Sequence, residues 1–173
     1  MENLFLNSKT KRLAVAGMLG AFSVVLSVTP FLGYIPIPFL VGVNATTMHI
    51  PIIIAAILMD AKVATFVGFI FGVSSFLRAT PAFFSDPLVS ILPRLLIGAA
   101  TYYAYKATKS SVFAAVIGTI TNTVGVLTMI YLRGYLPLKI VGVIAGVNGT
   151  AEVIISAIIV YSIMKILKSK NNL

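Results

Sequence analysis

The stretch "SVFAAVIGTITNTVGVLTMIYL", residues 111–132, carries no charge from end to end. Its length matches the roughly 20 apolar residues that a helix needs to cross a bilayer. The same texture recurs on both sides. Further apolar segments lie at 13–29 ("LAVAGMLGAFSVVLSVT", closed by Pro30), 46–59 ("TTMHIPIIIAAILM", which is short), 61–77 ("AKVATFVGFIFGVSSFL"), 87–105 ("PLVSILPRLLIGAATYYAY") and 140–167 ("IVGVIAGVNGTAEVIISAIIVYSIMKIL"). The expected architecture is therefore an all-α integral membrane protein with six transmembrane helices, forming a single domain over 1–173. The first segment reads as a span rather than a cleaved signal, since five more follow it.

Composition agrees. Of 173 residues, 59% are hydrophobic and 10% charged, and mean hydropathy is +1.05. A soluble domain has about 25% charged residues. Cysteine is absent, which removes disulfides, thiol chemistry and Cys-ligated zinc. One histidine and four acids (Glu2, Asp60, Asp86, Glu152) leave almost no material for a metal centre or acid–base site. No Walker A motif and no HExxH occur, so neither an ATP site nor an intramembrane enzyme is expected, and no cofactor.

The net charge of +9 would suit nucleic acid, but the placement of the charges gives a different reason for it. With the N-terminus inside, one membrane side holds Lys9, Lys11, Arg12, Lys62, Lys106, Lys109, Lys165, Lys168 and Lys170. The other holds Arg78, Arg133 and Lys139, and Arg94 falls within a span. This is the positive-inside bias, and it predicts N- and C-termini that are both cytoplasmic. The inner connections are tight. The longest outer one, 30–45, is rich in Pro, Gly and aromatics. It reads either as an ordered lid or as an interfacial loop anchored by Phe31, Tyr34 and Phe39.

Polar groups within apolar spans are costly and usually face a cavity or a partner. Arg94, directly after Pro93, is the sharpest case. It is either an anion or hydrogen-bond clamp on a ligand, or a structural group paired with Glu152 or Asp86 or reaching the headgroups. Asn148 and Glu152, four apart, share a helical face. Asn122, in mid-span, either contacts a ligand or ties helices together. Arg78, after "GVSSF" with its Ser75, reaches inward or meets headgroups. Asp86–Pro87 reads as a helix cap. Asn44, Thr46, Thr47 and His49 cluster where the lid meets the second segment, as ligand contacts or as structural residues. In the first span, Gly17 and Ala21, like Ala16 and Gly20, form small-xxx-small pairs. These serve either internal packing or docking of another membrane subunit.

Together, the basic N-terminus with its small-xxx-small helix, "ATTMHIPIIIAAILM" (45–59), "GFIFGVSSFLRAT" (68–80), "PLVSILPRLLIG" (87–98) and "VNGTAEVIISAIIV" (147–160) resemble the substrate-binding S-component of energy-coupling factor (ECF) vitamin transporters. The resemblance covers nearly the whole chain. It implies a small six-helix subunit that binds a vitamin at the outer face beneath the first loop. It also implies docking on a transmembrane coupling subunit with two ATPases, whose ATP hydrolysis drives release inside. The family's Ala-xxx-Ala docking motif falls on Gly17 and Ala21, with Gly replacing the first Ala. "IPIPFLVGVNATTMHIP" (35–51) resembles the pantothenate branch and its neighbours for pyridoxine and hydroxymethylpyrimidine, and the cobalamin branch stays open. The expected vitamin contacts are Asn44, Thr47, His49, Ser75, Arg78, Arg94, Asn122, Asn148 and Glu152, with Tyr34 and Phe39 in the lid. The competing class is a self-contained secondary carrier, which needs acidic groups along its path; only Asp86 and Glu152 are available.

Overall fold

A computed structural model describes residues 8–36 and 44–170. Its elements are α1 (Lys9–Val28), a short α2 (Pro30–Gly33), β1 (Tyr34–Pro36), β2 (Asn44–Thr46), α3 (Ile50–Leu58), α4 (Ala61–Arg78), a 3-10 turn (Ala82–Ser85), α5 (Pro87–Ser90), α6 (Leu92–Thr108), α7 (Ser111–Leu132), α8 (Leu138–Ile144), a π turn (Ala145–Gly149) and α9 (Thr150–Lys170). Helix starts follow the local chemistry. Asp60, Asp86 and Ser110 accept from the backbone N–H groups of Val63, Leu88 and Phe113 at 2.9, 3.0 and 3.2 Å, which satisfies donors that a first turn leaves unpaired.

Five helical stretches are long and apolar enough to cross a membrane: Lys9–Val28, Ala61–Arg78, Pro87–Thr108, Ser111–Leu132 and Leu138–Ser169. The expected second span departs from this. Only nine residues of 46–59 are helical, about 14 Å at 1.5 Å per residue, against a hydrocarbon core of about 30 Å. Ile50 through Ile57 are all buried, and α3 touches α1, α4, α6, α7 and α9. It is the axis around which the long helices pack. The long helices turn Phe22, Phe66, Leu77, Leu96, Ile154 and Ile158 outward.

Two expected boundaries also move. The fourth segment breaks at Ile91, between α5 and α6, and continues to Thr108. The sixth begins at Leu138 and contains the π turn. The loop 30–45 is not irregular throughout. Among the described residues, β1 and β2 pair antiparallel, Tyr34 opposite Thr46, Ile35 opposite Ala45 and Pro36 opposite Asn44. Phe39 lies outside the described residues.

The tightest approach joins α4 to α6. A Cβ placed on Gly68 would stand 2.3 Å from the carbonyl oxygen of Arg94, and one on Gly98 would stand 2.5 Å from the backbone nitrogen of Thr65. Backbone cannot yield as a side-chain end can. Gly68→Ala is therefore expected to destabilise the fold by about 1–3 kcal/mol, the usual range for overpacking. Thermal unfolding in detergent checks this, with Gly17→Ala, where a Cβ meets nothing within 4 Å, as the neutral comparison.

Candidate functional site

A cavity of about 400 Å³ opens between the hairpin and α4, α6, α7 and α9. Tyr34 of β1 and Thr46 of β2 form one wall. Phe71, Ser75 and Arg78 of α4 form the next, followed by Phe83 and Phe84 of the 3-10 turn. Arg94 comes from α6, and Asn122, Thr123, Val126, Leu127 and Ile130 from α7. Leu136, Ile144, Asn148 and Glu152 close it. A larger groove of about 550 Å³ between α1 and α4 is lined by Val24, Val28, Phe66, Phe69, Ile70, Val73 and Leu77, with Ser74 and Arg78. Its walls are almost wholly apolar and lie on the outward helix faces. A water-soluble ligand belongs in the first cavity.

Arg94 owes its place to its neighbour. Pro93 has no N–H, so the carbonyl of Val89 loses its helical donor. Arg94 supplies the replacement, with Nη1 donating to Val89 O at 2.7 Å. The guanidinium is then held over the rings of Phe71 and Phe84, at 5.4 and 4.9 Å from their centroids, a favourable setting for a cation. Arg94 is 4% exposed. Among the described residues its Nε–H has no acceptor, and Asn122 Oδ1, of the same cavity lining, has no donor. Buried polar atoms are rarely left unpaired, and each such exception asks for an explanation.

Glu152 is differently placed. One carboxylate oxygen accepts from Thr46 N at 2.9 Å and Thr46 Oγ1 at 2.6 Å. The other accepts from Thr123 Oγ1 at 2.9 Å. Arg78 donates to Ser27 O and to the Tyr34 hydroxyl, and to Thr80 O at 3.2 Å. At the cavity's edge Arg133 Nε donates to Asp86 Oδ2 at 2.5 Å. That bond, helped by the Leu88 N–H, holds the Asp86 carboxyl below its ordinary range.

Of the nine contacts expected from sequence, the cavity gathers Ser75, Arg78, Arg94, Asn122, Asn148 and Glu152. Asn148 arrives through the π turn, a feature frequent at functional sites. Thr47 and His49 are not on its walls, and Asn44 contributes a strand position in β2. Thr47 turns its hydroxyl toward the carbonyls of Leu32 and Gly33, at 3.4 and 3.5 Å. Adjacent residues of an extended chain face opposite ways, so Thr46 rather than Thr47 reaches the cavity. His49 is fully buried. Its Nε2 lies 3.0 Å from Thr119 Oγ1, which lies 2.6 Å from Ser156 Oγ. Ser156 donates to Val153 O at 3.2 Å. Thr119 then donates to Ser156 and accepts from His49 Nε2–H. This chain fastens α3 to α7 and α9.

Sequence reasoning passed over Thr123, Phe71 and Phe84. Thr123 sits beside Asn122 in "TNT", a polar pair that was visible. The two phenylalanines look like any others in an apolar chain.

On α1, Gly17 and Ala21 are exposed while Ala16 and Gly20 are buried. A Cβ on Gly20 would stand 2.8 Å from Ile70 Cδ1. Internal packing therefore uses the Ala16–Gly20 pair and leaves Gly17–Ala21 open.

Three comparisons bear on this geometry. Residues 11–164 match the family model described as "ECF transporter, substrate-specific component". The pantothenic acid transporter PanT of Lactococcus lactis subsp. cremoris is 32% identical over 159 residues, covering 75% of this chain and 81% of that protein. The pantothenate transporter PanT of Leuconostoc mesenteroides is 33% identical over 100 residues, covering 53% of this chain and 49% of that protein. Among solved structures, the one titled "Structure and mechanism of the S component of a bacterial ECF transporter" superposes with a TM-score of 0.64 at 22% identity, covering 94% of this chain and 98% of that one.

Proposed function

This chain belongs to the family of ECF transporter substrate-specific components, and from that premise we propose that it captures pantothenate in the cavity beneath the β1–β2 hairpin. Components of this family are substrate-binding transporter subunits of the membrane, not enzymes. The observation that carries the choice of ligand is the buried guanidinium of Arg94 in the cavity lining, whose Nε–H has no acceptor among the described residues. Pantothenate has a carboxylate at one end, an amide in the middle, and two hydroxyls beside a pair of methyl groups at the other. A guanidinium fork matches a planar carboxylate. Asn122 Oδ1 takes a hydroxyl or amide proton, Ser75 and Asn148 add polar contacts, and Val126, Leu127 and Ile130 receive the methyl groups. The PanT names of two relatives support the same choice.

The cavity also weighs against an alternative. At about 400 Å³ it lies in the range of small-ligand sites, whereas a corrinoid is several times too large. Pyridoxine and hydroxymethylpyrimidine fit by size but carry no carboxylate for Arg94. A self-contained carrier would need acidic groups for a coupling ion. Here Asp86 is paired with Arg133 and Glu152 with two threonines, which favours the importer subunit.

The subunit is proposed to sit in a prokaryotic plasma membrane with both termini cytoplasmic and the hairpin outside. The sixth crossing would be made by α3 together with the chain that leads into it from the hairpin. It would dock through Gly17 and Ala21 onto a transmembrane coupling subunit that carries two ATPases. Calorimetric titration of the purified protein with pantothenate, pyridoxine, hydroxymethylpyrimidine and cobalamin tests the ligand. Submicromolar binding of pantothenate alone is expected, which corresponds to more than about 8 kcal/mol. Tighter binding of a vitamin without a carboxylate would overturn the assignment.

A further inference from the structure

We propose that Glu152 is a positioning residue, whose carboxylate holds the β1–β2 hairpin over the cavity and does not contact the ligand. The inference rests on the reading of the cavity as the vitamin site. Glu152 borders that cavity and is 6% exposed, which makes it look like a ligand contact. Most of its acceptor positions are already taken. Thr46 N–H and Thr46 Oγ1–H both donate to Oε1, at 2.9 and 2.6 Å, and Thr123 Oγ1–H donates to Oε2 at 2.9 Å. An ionised carboxylate offers about four lone-pair sites, and three are filled from within the chain. Arg94 Nε and Asn122 Oδ1, of residues that line the same cavity, have no partner among the described residues. Glu152 is thus committed to the protein, while Arg94 and Asn122 each keep one polar atom without a partner among the described residues.

What Glu152 holds is specific. Thr46 is the rung of the hairpin that faces Tyr34. The Tyr34 hydroxyl accepts from Arg78, which also donates to Ser27 O at the end of α1. One cross-strand pair is therefore fastened on one side by a cation of α4 and on the other by an anion of α9. Lifting the hairpin to admit a vitamin must break the two Thr46–Glu152 bonds. Bonds to a charged acceptor are the stronger kind, so Glu152 sets how often the hairpin opens.

Two measurements on purified full-length protein in nanodiscs separate this role from ligand contact. The first is amide hydrogen exchange over residues 44–49, followed by mass spectrometry without ligand. In Glu152→Ala the Thr46 amide loses its acceptor, and exchange of this segment is expected to rise by about tenfold or more. In Glu152→Gln the amide oxygen still accepts from Thr46, so protection is expected to stay near wild type. The second is the rate of association and dissociation of labelled pantothenate. Removing a latch speeds both rates, so Kd moves less than either. Removing a contact speeds dissociation alone. Unchanged protection in Glu152→Ala, or faster dissociation with unchanged association, overturns the proposal. So does a Glu152→Gln variant whose exchange and binding rates rise as much as those of Glu152→Ala. If Glu152→Ala does not fold, Thr46→Val removes only the 2.6 Å bond and is expected to shift exchange and both rates in the same direction. If wild-type protein fails to bind pantothenate, the assigned ligand falls, while the exchange result still decides the latch.

Discussion

Arg94→Ala is expected to weaken pantothenate binding by at least about a hundredfold, and His49→Ala by less than about tenfold. Removing one partner of a buried charge pair costs about 3–5 kcal/mol, and each 1.4 kcal/mol is a factor of ten in affinity. Arg94 meets the conditions for the upper part of that range. It is 4% exposed, fixed at Nη1 by Val89 O, and held over two aromatic rings. His49 lacks a place on the cavity wall, and its bond to Thr119 affects binding only through the packing of α3, α7 and α9. Arg94→Ala also strips the Val89 carbonyl of its donor, so part of its effect reflects the fold. Arg94→Lys separates the two. The ammonium keeps the charge but cannot present a planar fork, so this variant is expected to fold and still to lose about tenfold or more in affinity. Calorimetric titration of all three variants, each checked for monodispersity, decides the matter. Near-wild-type affinity in both Arg94 variants would move the ligand out of this cavity.

Gly17→Trp is expected to abolish uptake in cells that hold the energising module while leaving vitamin binding by the isolated subunit intact. A Cβ at Gly17 meets nothing within 4 Å, and Ala21 is exposed one turn later. An indole there disturbs nothing inside the chain but blocks close approach of another helix, which small residues four apart permit. Gly20→Trp provides the contrast. Its side chain would run into Ile70, so binding and fold should fail together. Transport assays in cells beside ligand titration of purified protein distinguish these outcomes. Intact uptake by Gly17→Trp would leave that face of α1 to lipid.

The membrane class was legible because apolar runs near the length of a bilayer crossing leave few alternatives. Arg94, Asn122, Asn148 and Glu152 were legible for a related reason: a polar group in hydrocarbon needs a purpose. Their partners were not. Thr46 meets Glu152 across 106 positions of chain, and no local pattern encodes that meeting. The segment 46–59 is as apolar as its neighbours, so composition could not show that protein surrounds it on every side. His49 stands three residues from Thr46, yet the turn before α3 carries it into the core. The Gly17 and Gly20 registers looked equivalent until α4 was in place to occupy one of them.

The enclosure of α3 bears on how the chain enters its membrane. A nine-residue helix preceded by Thr46, Thr47 and His49 cannot rest in lipid alone, because the backbone beyond its ends would lie unsatisfied in hydrocarbon. Four of the five long helices that touch α3 or enclose it, α4, α6, α7 and α9, follow it in the sequence. Ribosome-borne synthesis therefore delivers this segment before its shelter exists. Its final seat must be taken after the later helices have been inserted, so the central element of the bundle is among the last to settle.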